Sequence, residues 1–423
     1  MSAAPLRVVD VSQGWAGPMV GYMLAAFGAE VIKVESARYF DWWRGSPHPD
    51  AAPGDNRYEM TPTHNSVNRS KLAVNIDLQI PEGLALLNEL LAESDVFVEN
   101  YPPRVMPRLG LAPEKVLADH PHLVMISLPA FGASGPEMDY VGFGNTIEAM
   151  AGITLLNGYP DGSPIQNPNA YGDPASGIMG AFAVLTALHE RDNLNAKDGS
   201  GGGQPAGRHI ELSELEATIP HAANRLLEFP ATGRNPERTG TRHPTMAPHG
   251  VYPCQPIDDI ERFIVIACRD DDDWANLRAA LGDPAWAQDD NLRTVDGRRA
   301  AHDAIDTHLA AWTAPRSHID AMHHLQAHHV PAGAALSNYD VLFDEHLTER
   351  GFHIPVDHPV MGTSLYPAPG VRLSKSPVTA DRPAPLLGQH TEDVLQRILH
   401  KTDQQLADLE ALGVTTRAFL REG

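Results

Sequence analysis

The first 130 residues alternate compact apolar runs with segments of helical period. Arg7–Val11 reads as a buried strand, Pro18–Phe27 as a helix and Glu30–Val34 as a second strand, which together predict one βαβ unit of a parallel sheet. A helix over Pro81–Ala92 leads to a strand at Asp95–Glu99, and a helix over Pro113–His120 leads to a strand at Leu123–Leu128. Four strands with crossover helices predict an α/β fold with a Rossmann-like parallel layer.

The pattern then changes. Pro174, Ile178, Phe182, Leu185 and Leu188 recur near the 3.6 period ahead of His189-Glu190-Arg191, so a helix of about four turns is expected after Asp173. Asp192–Gly207 is rich in Gly, Asn and Ser and reads as an exposed loop; it follows a helix and precedes a strand, the wrong order for a phosphate-cradling loop. His209–Leu212 reads as a strand, Glu214–Phe229 as one long helix, and Pro230–Pro248 as a linker. A smaller α/β domain is expected over 249–337. It has strands at His249–Tyr252 and Arg262–Cys268 and helices at Asp271–Leu281, Gly297–Trp312 and Ser317–His328. Helices near Glu392–Leu399 and Asp403–Leu412 close the chain, and no internal repeat is visible.

In Gly172-Asp173-Pro174-Ala175-Ser176-Gly177 a carboxylate stands at a helix start among small residues. Asp173 is read as the N-cap and Pro174 as the first helical residue. The positive end of the helix dipole then favours the ionised carboxylate, and Gly172 and Gly177 would leave room for a substrate. The same residues equally describe an ordinary cap.

Charge removes several function classes. The 423 residues carry 54 acidic and 32 basic side chains, a net charge of -22, so binding to nucleic acid or to an anionic membrane is not expected. The opening Met-Ser-Ala-Ala-Pro-Leu-Arg has no basic-then-apolar leader pattern and no run approaches the ~18 apolar residues of a membrane span, so a cytoplasmic location is expected. Cys254 and Cys268 are read as free thiols in a reducing compartment. His323, His324, His328 and His329 cluster without an ordered acidic or thiol partner, and no metal site is expected.

Several separated motifs together resemble the class III CoA-transferases of the CaiB/BaiF type, which include formyl-CoA transferase, carnitine CoA-transferase and acyl-CoA racemases. They are Ala16-Gly17-Pro18, Gly28-Ala29-Glu30-Val31-Ile32-Lys33-Val34-Glu35, Asn68-Arg69-Ser70-Lys71, Pro81-Glu82-Gly83, Val98-Glu99-Asn100-Tyr101, Arg108-Leu109-Gly110, Gly132-Ala133-Ser134-Gly135-Pro136, Gly172-Asp173 and Gly388-Gln389-His390-Thr391-Glu392. The resemblance implies that Asp173 is a nucleophile attacking an acyl-CoA thioester, with aspartyl anhydride and aspartyl-CoA thioester intermediates and no tightly bound cofactor. It implies coenzyme A contacts from Arg38, Asn100, Tyr101, Arg108 and Leu109, with Arg69 and Lys71 as further candidates. The acid-side pocket would involve Trp15, Phe143, Gly144, Asn145 and Glu148. It further implies a large domain built from 1–229 with 338–423, and an interlocked homodimer. Some relatives work as paired unequal subunits, so a second subunit of the same family, including a non-catalytic one, is a further candidate partner.

The departures are informative. Racemases of this type carry a histidine where Phe143 stands, and phenylalanine moves no proton, which counts against an acyl-CoA racemase or epimerase. The formyl enzyme's tyrosine–glutamate pair is Phe143-Gly144 here, its glutamine before Ala-Gly-Pro is Trp15, and its four-glycine loop has no counterpart in Arg242–Pro248. The run Gly201-Gly202-Gly203-Gln204-Pro205 imitates that loop in the wrong place. Trp15 and Phe143 suit a bulkier or more apolar acid than formate or oxalate. A nicotinamide-dependent dehydrogenase is the rival from another class. Gly14, Gly17, Gly21 and Glu35 sit roughly where a dinucleotide fingerprint would be, but with the wrong spacing.

Overall fold

A computed structural model describes residues 5–45, 57–197 and 206–416, with the backbone alone at 193–197. The first four residues and the glycine-rich run 198–205 singled out above lie outside the described residues. The chain forms two compact units: residues 1–154, 166–230 and 351–423 make the first, and residues 155–165 and 231–350 the second. Segments 155–165 and 338–350, assigned above to the large domain, thus cluster with the second unit, as does most of the stretch read as a linker.

Six strands make the sheet of the first unit: β1 (Arg7–Asp10), β2 (Glu30–Glu35), β3 (Leu72–Asn75), β4 (Val96–Glu99), β5 (Val124–Ser127) and β6 (Arg208–Glu211). All five pairings are parallel, in the order β3-β2-β1-β4-β5-β6. This is a doubly wound order, with its switch point between β1 and β4. Alternation along the strands sends side chains to two faces. Val9, Ile32, Val74, Phe97 and Met125 pack with Leu86, Leu87, Leu90 and Leu91 of the helix Pro81–Ala92 and with Val394, Leu395 and Ile398 of the helix Thr391–Leu399. Val8, Val31, Val96, Val124 and Ile126 face the other way, against helix α1 (Ala16–Ala26) and the long helix beginning at Gly172. The edge strand β3 is sealed by the C-terminal segment: the Ala73 N–H donates to His390 Nδ1 at 3.1 Å and the Asn75 N–H to Thr391 Oγ1 at 3.0 Å.

The three further helices that position the site are α2 (Gly144–Met150), α3 (Gly172–Lys197) and α4 (Glu214–Thr218). The helix α3 runs to Lys197, past the end expected near His189–Arg191, and its first residue is Gly172, two before Pro174, so Asp173 lies inside its first turn rather than capping it. Its buried stripe also differs from the expected one. Gly177, Gly180, Ala181, Val184, Ala187 and Leu188 are buried, whereas Ile178, Phe182 and Leu185 are exposed in this chain. The reason is close packing on α1: a Cβ at Gly177 would lie 2.6 Å from the Ala16 carbonyl oxygen. Gly177 therefore serves helix contact, not substrate access. The long helix expected over Glu214–Phe229 is broken into α4, a 3₁₀ turn at Ile219–Ala222 and short turns after it, since Pro220 supplies no backbone donor.

The second unit has an antiparallel sheet, β7 (His249–Ile257), β8 (Ile260–Ala267) and β9 (Ala332–Ala335). Its core gathers Tyr252, Ile264, Ile266, Trp274, Leu277, Leu309 and Leu325. Cys254 and Cys268 are free thiols within it. The segment expected as one helix over Gly297–Trp312 breaks at Ala301. In the histidine cluster, His324 Nε2 pairs with the Ala280 carbonyl at 2.8 Å and His328 Nδ1 with the His324 carbonyl at 2.9 Å. A two-stranded hairpin, β10 (His353–His358) with β11 (Gly362–Pro367), belongs to the first unit. No helix among the described residues is long and apolar enough to cross a membrane.

Candidate active site

Three helix starts converge in the first unit. Phe143 precedes α2, its N–H donating to Thr146 Oγ1 at 2.8 Å, and the Gly144 N–H that follows donates to the Asp173 carboxylate. The fit is close: a Cβ on Gly144 would sit 2.1 Å from Asp173 Oδ2. Gly172 donates its N–H to Glu148 Oε1 at 3.3 Å, and the fully buried Glu148 keeps Oε2 without a partner. The third start is α4, where Ser213 caps the helix through the Glu216 N–H. Glu214 is anchored by its own N–H to the Pro129 carbonyl at 3.2 Å and by the Thr218 hydroxyl, which donates to its carbonyl at 2.7 Å. Its side chain is hydrogen-bonded to Asp173.

Burial pushes the Asp173 carboxyl up to about 6; the Glu214 and Gly144 hydrogen bonds oppose the rise and the Glu148 charge adds to it. Desolvation therefore outweighs the helix-dipole effect anticipated from sequence. Burial first, then the Asp173 charge and the shared hydrogen bond, hold Glu214 well above the usual carboxylate range. Of the two, Glu214 holds its proton the more tightly, which makes it the donor of the pair and Asp173 the acceptor.

Both acids line a cavity of about 220 Å³ walled by Trp15, Trp42, Met138, Tyr140, Val141 and Phe143. Trp42 meets Phe143 edge-on with ring centroids 5.8 Å apart, and Trp15 lies 5.3 Å from Trp43. A second cavity, about 460 Å³, opens at the carboxyl ends of β1, β2 and β4 and includes Glu35, Ser36, Tyr101, Arg108 and Leu109. Gln13 and Tyr101 line both cavities. Asn100 ties the shared wall together, accepting from the Gln13 N–H and donating to the Gln13 carbonyl, each at 2.8 Å. A larger cavity of about 590 Å³, enclosed by the segment from Leu386 to Thr416, shares no lining residue with either.

The other expected residues separate cleanly. Asn145 lies beside Gly144 on α2, half-buried, with Oδ1 unpartnered. Arg38 is exposed and faces Asp77 Oδ2 at 3.6 Å, two residues from the cavity wall at Ser36. Arg69 and Lys71, expected near coenzyme A, are instead spent inside the unit. Arg69 donates to Tyr22 Oη at 2.7 Å and to the Pro367 and Ala380 carbonyls, while Lys71 donates to Asp10 Oδ2 at 2.9 Å and to Asn68 and the Pro18 carbonyl. Sequence reasoning missed Glu214, Trp42 and Gln13. Glu214 did carry a signal, since helical spacing sets it on one face with the buried Ala217 and Thr218.

The model of CoA-transferase family III matches residues 4–391. The chain belongs to CoA-transferase family III. This family III enzyme is 32% identical over 407 residues to the succinyl-CoA–D-citramalate CoA-transferase of Chloroflexus aurantiacus, covering 96% of each chain. It is 31% identical to the succinate–glutarate CoA-transferase of Agrobacterium fabrum, over 93% of this chain and 94% of that one. Its fold matches a CaiB/BaiF family protein from Brucella suis with a TM-score of 0.80 and 28% identity, over 93% and 98% of the two chains. The chain is a family III CoA-transferase, and the dehydrogenase reading is set aside.

Proposed function

We propose that this CoA-transferase moves CoA from an acyl-CoA donor to a free carboxylic acid through Asp173. One observation carries the reading: the Asp173 carboxylate reaches an aromatic-walled cavity that shares Gln13 and Tyr101 with a larger cavity at the strand switch point. The nucleotide end of CoA would occupy the larger cavity, where Arg108 supplies a cation, and the thioester would lie by Asp173.

In this reading an Asp173 oxygen forms a bond to the thioester carbonyl carbon as the C–S bond breaks, giving a mixed anhydride and CoA thiolate. The thiolate attacks the Asp173 carbonyl, the donor acid leaves as a carboxylate, and an aspartyl-CoA thioester remains. The acceptor carboxylate displaces that thiolate to form a second anhydride. Thiolate attack on the acceptor carbonyl then releases the new acyl-CoA and free Asp173. Bond exchange is balanced throughout. Phe143 at the racemase histidine position weighs against proton exchange at the α-carbon.

The relatives' names carry succinate, glutarate and citramalate. Here no Lys or Arg lines the smaller cavity among the described residues, and its walls are aromatic. We therefore read the acceptor as a carboxylic acid with an apolar body; turnover confined to oxalate in an acceptor panel would defeat this. The exposed Ile178, Phe182 and Leu185 support a homodimer in which a second copy covers that face. Incubation with a panel of acyl-CoAs, a hydroxylamine quench and peptide mass mapping test the mechanism. A hydroxamate on Asp173 is expected, and CoA binding with Asp173 unmodified across the panel would overturn it.

A further inference from the structure

Glu214 has no part in the thioester exchange just described, yet its side chain is hydrogen-bonded to Asp173. The residue is 5% exposed, lines the same cavity, and is fixed at the first position of α4 by its own N–H bond to the Pro129 carbonyl and by that of the adjoining Leu215 to the Ala130 carbonyl. Two ionised carboxylates in such contact repel strongly, so one proton is held between them.

We infer that Glu214 is a second catalytic residue, which keeps a proton on its carboxyl and donates it as a hydrogen bond to Asp173 throughout the exchange. This rests on Asp173 being the nucleophile. In the free enzyme the bond leaves the pair with a single negative charge and a fixed carboxylate. When Asp173 becomes an acyl anhydride its charge departs on the thiolate, and the Glu214 proton stays where it is. As the thiolate returns to the aspartyl carbonyl carbon, charge develops on an oxygen of the former carboxylate. The Glu214 O–H and the Gly144 N–H are the two donors already directed at that group, so together they form an oxyanion hole on the enzyme's own side chain. No proton changes hands in any step.

The titratable group facing Glu214 is Asp173; Asp173 in turn faces Glu148 from α2 and Glu214 from α4. Alkaline pH removes the Glu214 proton, which both deletes a donor and sets a second anion against the nucleophile. The activity should therefore decline on the alkaline side for a reason intrinsic to this pair.

The test follows the rate of hydroxylamine-trapped Asp173 acylation and the steady-state rate across pH, using the acyl-CoA that best labels the wild type. Glu214→Gln keeps a donor but cannot titrate. It is expected to turn over more slowly at neutral pH, by up to about tenfold, and to lose the alkaline decline. Glu214→Leu removes the donor and is expected to lower kcat by about 10²–10³-fold, with the acyl-CoA KM little changed. An alkaline decline that persists in Glu214→Gln, or a Glu214→Leu enzyme as fast as wild type, would overturn the inference while leaving Asp173 as nucleophile. If Glu214→Leu does not fold, the Glu214→Gln profile decides alone. Absence of label on Asp173 in the wild type overturns both readings together.

Discussion

Gly144→Ala probes the geometry on which the proposed chemistry depends. The added Cβ would fall 2.1 Å from Asp173 Oδ2 and 2.8 Å from the Ala170 Cβ, and the obstacle behind it is a second side chain rather than open space. Restoring ordinary contact, which begins near 3.4 Å, requires the carboxylate and α2 to separate by about 1.3 Å. That movement breaks the Gly144 N–H bond and turns Asp173 away from any thioester aligned for attack. A misplacement of about 1 Å typically costs ~10²-fold in rate, or ~2.7 kcal/mol of transition-state stabilisation. Overpacking should also lower stability by about 1–3 kcal/mol. The assay is kcat and KM for the best donor, with the yield of hydroxamate on Asp173, measured well below the Tm of the variant. The expected result is a fall of about 10² in kcat with labelling reduced in step and KM for acyl-CoA little altered. A folded Gly144→Ala enzyme with kcat within about threefold of wild type would refute the claim that this approach fixes the nucleophile.

The remaining predictions concern charge. Asp173 has a folded-state pKa of about 6 against 3.8, so its ionisation favours the unfolded chain, and stability falls as pH rises from roughly 4 to 6. Asp173→Asn should therefore be inactive yet more stable at neutral pH, by at most about 3 kcal/mol, with the difference vanishing near pH ~4 in thermal unfolding; equal Tm values at neutral pH would contradict this. Lys71→Met removes the ion-pair partner of buried Asp10 at Oδ2 and should cost about 3–5 kcal/mol in denaturant unfolding, while the KM for acyl-CoA in the folded enzyme is unchanged. Arg108→Ala should do the reverse, raising that KM about tenfold with little change in Tm.

The parallel layer was legible where strands are continuous apolar runs crossing a buried sheet, as in Arg7–Asp10 or Val124–Ser127. Leu72–Asn75 escaped notice because it is four residues long, follows two buried cations, and owes its strand state to pairing with β2. The helix after Asp173 was found, but on the wrong face. Period 3.6 finds large apolar residues, whereas close helix packing here selects Gly177, Gly180 and Ala181. At the site, Asp173 stood in a recognisable motif and Gly144 at a position where the chain departs from the formyl enzyme, but Glu214 is 41 residues from Asp173, and their contact depends on how α3 and α4 pack. Arg69 and Lys71 show the converse error. The resemblance made them candidates for coenzyme A contact, yet each has internal acceptors that only the folded unit assembles.

The sealing of β3 by the C-terminal segment has a consequence for biosynthesis. Asn75 and Thr391, hydrogen-bonded to each other, are 316 residues apart, and Arg69 likewise takes two of its acceptors from Pro367 and Ala380. At about 5–20 residues per second, a ribosome needs roughly 15–60 s to deliver the second partner after the first. During that interval all six parallel strands come to exist, but the outer edge of β3 stays open to pairing with another chain. A nascent chain stalled before Pro367 would be an aggregation-prone intermediate with its sheet complete and its border unguarded.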